Sequence, residues 1–169
     1  RLFVPLKVLP CPPEIRENDP EREQKLRAWQ EKNKDPIAFG KVFERSQRLA
    51  LLALPGGGKT LLLKRLAVAY ADPARRGASA DDLPERDLIP VLIRCREWRQ
   101  HIHLPITTLL RSIPDITGQT SLAGLSDALI PLFKTGRSLL LVDGLDEIHD
   151  DGHRSTFVRH LEAFLDEYR

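Results

Sequence analysis

The sequence contains no methionine, not even at its first position, so we expect it to be an internal piece of a longer chain. Its two cysteines, Cys11 and Cys95, are too few for a disulfide framework, and unpaired thiols are typical of a reducing compartment such as the cytoplasm. No apolar run approaches the ~20 residues that a transmembrane helix needs. The first residues are too short and too interrupted by proline to form a secretory signal. These absences argue against a secreted or membrane protein and predict a cytoplasmic location.

Charge of one dominant sign is also lacking. The chain has 26 Lys and Arg against 24 Asp and Glu, a formal net charge of +2, and the two signs are interspersed. This balance gives no case for nucleic-acid binding. Hydrophobic residues make up 41% of the 169 residues, which is typical of a globular protein and suffices for about one domain with a core.

The first 35 residues differ from the rest, and we predict that they form an extension or linker. Prolines interrupt the first twenty residues, so we expect an extended or irregular backbone after a short strand-like segment at residues 2–8. Residues 21–34 are dense in charge, and Leu26 and Trp29 are their only large apolar side chains. This composition predicts a solvated helix or a partly disordered linker.

Residues 36–169 show strand and helix patterns in alternation. Continuous apolar runs predict strands at 48–54, 88–95 and 138–142, and the first is expected to be a parallel strand buried on both faces. Apolar residues at helical spacing predict helices that begin at Pro36 or span 60–71, 105–113, 121–134 and 155–168, with Pro114 ending the third and Pro131 bending or shortening the fourth. The alternation indicates an α/β domain with a parallel sheet and right-handed crossovers.

A glycine-rich turn, Ala53 to Thr60, lies between the first apolar run and a helix. Its glycines let the backbone bend closely around an anion, and backbone N–H groups at a helix N-terminus favour phosphate. Lys59 is expected to reach the β- and γ-phosphates of a nucleotide, and the Thr60 hydroxyl to bind Mg²⁺. Ala53 stands where the usual pattern of a glycine-rich phosphate-binding loop has its first glycine. The predicted nucleotide-binding residues are Pro55, Gly56, Gly57, Gly58, Lys59, Thr60 and Leu61.

Three acids follow the last predicted strand. Asp143 lies directly at its carboxyl end, where ligands bind in open α/β sheets, so Thr60 and Asp143 are the predicted metal ligands. Asp146 and Glu147 are the predicted catalytic residues: Glu147 would position the attacking water, and Asp146 would support the metal shell. A helix cap or a solvated acidic turn is the alternative interpretation of these two acids.

The segment from Leu139 to Ile148 resembles the NACHT family of signal-transducing P-loop NTPases (STAND class), in which a small residue follows the magnesium aspartate and two acids lie just beyond. Gly144, Asp146 and Glu147 fit that pattern, and residues 49–64, 91–94 and 3–6 add to it. The resemblance implies a three-layer P-loop NTPase fold whose mostly parallel sheet is flanked by helices. It also implies that the chain binds ATP, or less often GTP, with Mg²⁺.

Family members use nucleotide state to switch between closed and self-assembling forms, and many are innate-immune or antiphage sensors. The resemblance therefore implies slow hydrolysis and a self-oligomer in the longer protein, of which this chain would lack the C-terminal part of the NTPase domain. Two alternatives remain, a motor ATPase of the AAA+ group and a non-hydrolysing nucleotide-binding scaffold. Zinc binding by Cys95, His101 and His103, and nucleic-acid binding by arginines around Trp98, are weaker hypotheses.

Overall fold

The computed structural model describes residues 7–16, 18–54, 56–77 and 81–168. In these ranges the chain forms short and long helices, four strands and two 3₁₀ turns. The strands are β1 (Lys7–Val8), β2 (Ile37–Ala38), β3 (Ile89–Arg94) and β4 (Ser138–Asp143), and the helices are α1 (Arg22–Lys32), α2 (Phe39–Arg45), α3 (Lys59–Ala71), α4 (Pro73–Gly77), α5 (Ile106–Arg111), α6 (Ile113–Thr117), α7 (Leu125–Lys134) and α8 (Asp151–Glu167), with 3₁₀ turns at Thr120–Leu122 and Leu145–Glu147.

The chain divides into two compact units. The first contains Arg1–Gly57 and Ala74–Glu85, and the second contains Gly58–Pro73 and Arg86–Arg169. The predicted boundary between residues 35 and 36 lies inside the first unit and stays a prediction. Among the described residues, no helix is long and apolar enough to cross a membrane.

The first unit contains an antiparallel pair, β1 with β2, in which Lys7 lies opposite Ala38. The predicted charged helix is confirmed as α1, which buries none of its residues. The prediction of a helix from Pro36 is wrong, because residues 37–38 pair with β1 and α2 begins only at Phe39. Residues 2–6 of the predicted first strand lie outside the described residues.

A close backbone contact holds α2 in this unit. The amide of Gly40 donates a hydrogen bond to the carbonyl oxygen of Asp81 at 3.0 Å. A Cβ atom on residue 40 would lie 2.0 Å from the carbonyl oxygen of Asp82, so only glycine fits there. Phe39 and Phe43 stack with ring centroids 5.8 Å apart, and both are buried.

The prediction of a buried strand at residues 48–54 is wrong. Within the described part of the chain this segment belongs to neither sheet, and Leu52 and Leu54 are 81% and 83% exposed. An apolar run becomes a strand only where a neighbouring strand accepts its backbone hydrogen bonds. The run of leucines satisfies the apolar requirement of a strand, but sequence pattern cannot supply the partner.

The second unit is built on a parallel pair, β3 with β4, as the apolar runs predict. Ile89 lies opposite Ser138 and Arg94 lies opposite Asp143, so both strands end at the same edge. Pro90 is the second residue of β3, near the start of the strand, where proline is tolerated. The chain between the two strands contains helices α5, α6 and α7.

Helices cover both faces of this strand pair. Val91 and Ile93 belong to the main core, and their register partners Leu140 and Val142 pack against it. Side chains alternate between the faces of a strand, so Leu141 faces the opposite side. There α3, which contacts both strands, buries Leu62 and Leu66 outside the main core. The second unit therefore combines helices with one parallel strand pair, and the three-layer P-loop fold stays a prediction.

The connecting helices differ from prediction mainly at prolines. Pro114 does not end a helix but lies in the first turn of α6, where a missing N–H costs no hydrogen bond. Pro131 lies inside α7, which continues to Lys134. Helix α8 begins before the predicted Ser155, because the Asp150 carboxylate caps it by accepting a hydrogen bond from the amide of His153 at 2.7 Å.

Candidate functional site

The N-terminus of α3 carries the first part of the site. Gly58 caps the helix with φ of +82°, a left-handed conformation that suits glycine. The amide of Leu62 donates to the carbonyl oxygen of Gly58 at 2.9 Å, so the amides of Thr60 and Leu61 precede this bond at the open helix end. Leu61 is 63% exposed. Because its side chain is apolar, the backbone amide is the part of this residue that suits an anion.

The turn before this helix is formed by residues of the first unit. The Gly57 amide donates to the carbonyl oxygen of Leu54 at 2.9 Å. A Cβ atom on residue 57 would lie 2.9 Å from that same oxygen and 2.9 Å from Cβ of Ala53. The alanine at position 53 is therefore compatible with the turn while residue 57 is glycine. Gly56 has φ of +79°, and Pro55 lies outside the described residues.

Thr60 and Asp143 meet in the second unit although 83 positions separate them. The Thr60 hydroxyl donates a hydrogen bond to Oδ1 of Asp143 at 3.0 Å. Thr60 is in the first turn of α3, and Asp143 is the last residue of β4. The two predicted metal ligands are thus adjacent, and each presents a hard oxygen atom.

Lys59 lies beside the acidic turn that follows β4. Its Nζ is 3.8 Å from Oδ2 of Asp146, within ion-pair distance but beyond hydrogen-bond distance. The Lys59 side chain is 27% exposed and that of Asp146 is 70% exposed. The Lys59 side chain is therefore mostly covered, whereas the Asp146 side chain beside it is mostly exposed to solvent.

Gly144 and Glu147 make a close approach across the 3₁₀ turn. Gly144 has φ of +73°, and the Glu147 amide donates to its carbonyl oxygen at 3.0 Å. A Cβ atom on residue 144 would lie 3.2 Å from Cδ of Glu147 and 3.4 Å from its Oε2. The Glu147 carboxyl group thus folds back over Gly144 towards the strand end. This explains physically why a small residue follows Asp143.

The pKa of Cys95 is affected by the charges of the three acids. It is buried directly after β3, and its amide donates to the carbonyl oxygen of Asp143 at 2.9 Å. Burial raises the pKa of the Cys95 thiol to about 12, and the negative charges of Asp143, Glu147 and Asp146 add to that rise. The negative charges of all three carboxylates therefore act on the Cys95 thiol, at the carboxyl edge of the sheet.

The donor set fits magnesium. Mg²⁺ prefers oxygen ligands, and it is usually held by one or two protein groups together with phosphates and water. Thr60 and Asp143 supply two such groups side by side. Within the described ranges, no group of three or more His, Cys, Asp or Glu side chains could hold a metal ion. Two oxygen ligands from the protein suit a cation that is shared with a phosphate.

The sequence analysis did not predict two of these contacts, the Lys59–Asp146 pair and the approach of Glu147 to Gly144. The spacing of Gly144 and Glu147 offered a signal, because a 3₁₀ turn brings residues three apart together. Arg94, the last residue of β3, forms an ion pair with Glu97 at 2.5 Å. The ring of His103 lies 6.0 Å from that of His153.

No protein-family model, no curated protein and no solved structure matches the chain. The resemblance to the NACHT family therefore rests on the sequence motifs alone.

Proposed function

We propose that this chain binds a nucleoside triphosphate with Mg²⁺ and hydrolyses it slowly. The observation that carries the proposal is the hydrogen bond between Thr60 and Asp143. It joins a helix N-terminus that follows a glycine turn to a carboxylate at the end of a parallel strand. A phosphate cradle beside a cation site is the arrangement that nucleotide chemistry needs.

Each residue has a role that follows from its position. The amides of Thr60 and Leu61 and the ammonium of Lys59 would bind phosphate oxygens. Thr60 Oγ1 and an Asp143 oxygen would hold the cation, whose charge neutralises the phosphates. The Glu147 carboxylate, held over Gly144, would orient a water molecule and accept its proton as the terminal phosphate leaves the diphosphate.

The resemblance to the NACHT family extends this proposal to a switch. Nucleotide state would control self-association of the longer protein in the cytoplasm, in a sensor of innate-immune or antiphage type. The site geometry supports only the nucleotide step, and the switch rests on the resemblance. Hydrolysis separates this proposal from a scaffold that binds a nucleotide without turnover.

Titration of a fluorescent ATP analogue, in excess MgCl₂ and again in EDTA, tests the proposal. Lys59→Ala is expected to lower affinity by roughly 10- to 150-fold, since a hydrogen bond to a charged group contributes ~1.5–3 kcal/mol. Asp143→Asn should lower affinity more in MgCl₂ than in EDTA, because an amide is a poorer ligand for a hard cation.

The matched control is Lys64→Ala, which removes an exposed lysine from the same helix. It is expected to change affinity less than twofold. Circular dichroism should show that all three variants keep the helical content of the wild type. Equal affinity of Lys59→Ala and the wild-type chain, or no binding by the wild type, would overturn the proposal.

A further inference from the structure

The ionisable groups at the end of β4 are unbalanced in charge. Four of the ionisable side chains near this strand end are the cation Lys59 and the anions Asp143, Asp146 and Glu147. The four together are net negative. A triphosphate is itself strongly negative, so these side chains oppose it unless positive charge comes with it.

Asp146 differs from the other two acids in its partner. Asp143 accepts a hydrogen bond from Thr60, and the Glu147 carboxyl group lies over Gly144. The Asp146 carboxylate instead lies 3.8 Å from the Lys59 ammonium. A phosphate that binds Lys59 must share this ammonium with Asp146 or displace the carboxylate.

We propose that Asp146 is the counter-ion of Lys59 and that it makes nucleotide binding depend on the divalent cation. This inference rests on the proposed function. With a cation on Thr60 and Asp143, added positive charge offsets the competition between Asp146 and the phosphates. Without the cation, Asp146 reduces the attraction of Lys59 for a free triphosphate. Asp146 thus acts as a specificity residue, and the metal shell does not need it.

The substitution Asp146→Asn distinguishes a role of Asp146 in the metal shell from a role as counter-ion of Lys59. If Asp146 supported the metal shell, Asp146→Asn would weaken binding in MgCl₂ and leave binding in EDTA unchanged. If Asp146 is the counter-ion, Asp146→Asn strengthens binding in EDTA. An exposed ion pair typically changes an equilibrium constant by about 1.5- to 5-fold. The gain in affinity in EDTA should fall in that range.

The experiment measures the Kd of the fluorescent ATP analogue for the 169-residue chain, in EDTA and in MgCl₂ at low ionic strength, where the effect is least screened. Asp146→Glu keeps the charge and should return the EDTA affinity towards the wild-type value. The matched control is Asp150→Asn, which removes one charge from the following turn and keeps a competent helix cap. It should change affinity less than 1.5-fold in either buffer.

A gain in EDTA for Asp146→Asn but not for Asp150→Asn supports the inference. An unchanged or weaker EDTA affinity in Asp146→Asn overturns it, and so does an equal gain in both variants, which would indicate general charge. If the wild-type chain binds the analogue while Asp146→Asn shows no gain, the inference fails alone. If the wild type binds nothing in either buffer, the proposed function fails with it.

Discussion

Replacing Gly144 by alanine perturbs the turn that places Glu147. Two effects are expected, and they are separable. The first is backbone strain, because φ at Gly144 is +73° and the left-handed region costs an L-residue ~1–2 kcal/mol. The second is contact, because the new Cβ would lie 3.2 Å from Cδ of Glu147. The carboxyl group must then shift by a few tenths of an ångström, and an off-rotamer side chain costs ~0.5–1.5 kcal/mol.

Gly118→Ala isolates the first effect. Gly118 has φ of +66°, and a Cβ there would meet no atom within 4 Å. Thermal unfolding should show a lower Tm in both variants. At about 2–4 °C per kcal/mol for a chain of this size, Gly118→Ala should lose roughly 2–8 °C. Gly144→Ala should lose about 1–6 °C more, and that excess should vanish when Glu147→Ala is combined with it.

Turnover gives an independent readout of the same contact. If Glu147 positions the attacking water, Glu147→Gln should lower the single-turnover rate by ~10²–10⁴-fold. Gly144→Ala should lower the rate in the wild-type background and have little further effect when Glu147→Gln is present. Gly118→Ala should leave the rate unchanged. Equal Tm losses for Gly144→Ala and Gly118→Ala, together with an unchanged rate, would refute the assignment of Gly144 as the residue that positions Glu147.

Two further predictions concern the packing of the first unit, through Gly40, and of the second unit, through Cys95. Gly40→Ala should destabilise the chain by ~1–3 kcal/mol or more, because the new Cβ would lie 2.0 Å from a backbone oxygen, whereas Gly77→Ala, at a helical glycine with open space, should change urea unfolding little. For Cys95, the folded-state pKa of about 12 exceeds the ordinary value of 9.0, so the unfolded state loses its proton first. Stability should therefore fall as pH rises from about 9 to about 12, and a Cys95→Ala variant with the same slope would contradict this.

The sequence predicted the local parts of the second unit well. Strands β3 and β4 and helix α3 lie where apolar runs and helical spacing indicate, because each buries a continuous apolar surface against its neighbours. The meeting of Thr60 and Asp143 was also predictable. A residue that opens a helix after a glycine turn and a residue that ends a buried parallel strand are both directed to the carboxyl edge of a sheet.

The sequence alone did not determine which apolar runs become strands. Residues 48–54 and 138–142 are similarly rich in leucine, yet among the residues that the structure describes only the second run has a strand beside it. Pairing depends on residues distant in the chain, so local composition cannot decide it. The helix starts at Phe39 and Asp151 were likewise set by a strand pairing and by a side-chain cap.

Within the site, the sequence determined which residues are present, and the tertiary structure decided their partners. Three acids within five positions look alike in a sequence, and a spacing argument assigned Asp146 to a metal shell. The fold separates them: Asp143 faces Thr60, Asp146 faces Lys59, and Glu147 lies over Gly144. The physical reason is that the 3₁₀ turn after β4 directs successive side chains to different sides, while the first turn of α3 presents Lys59 and Thr60 at fixed places beside it.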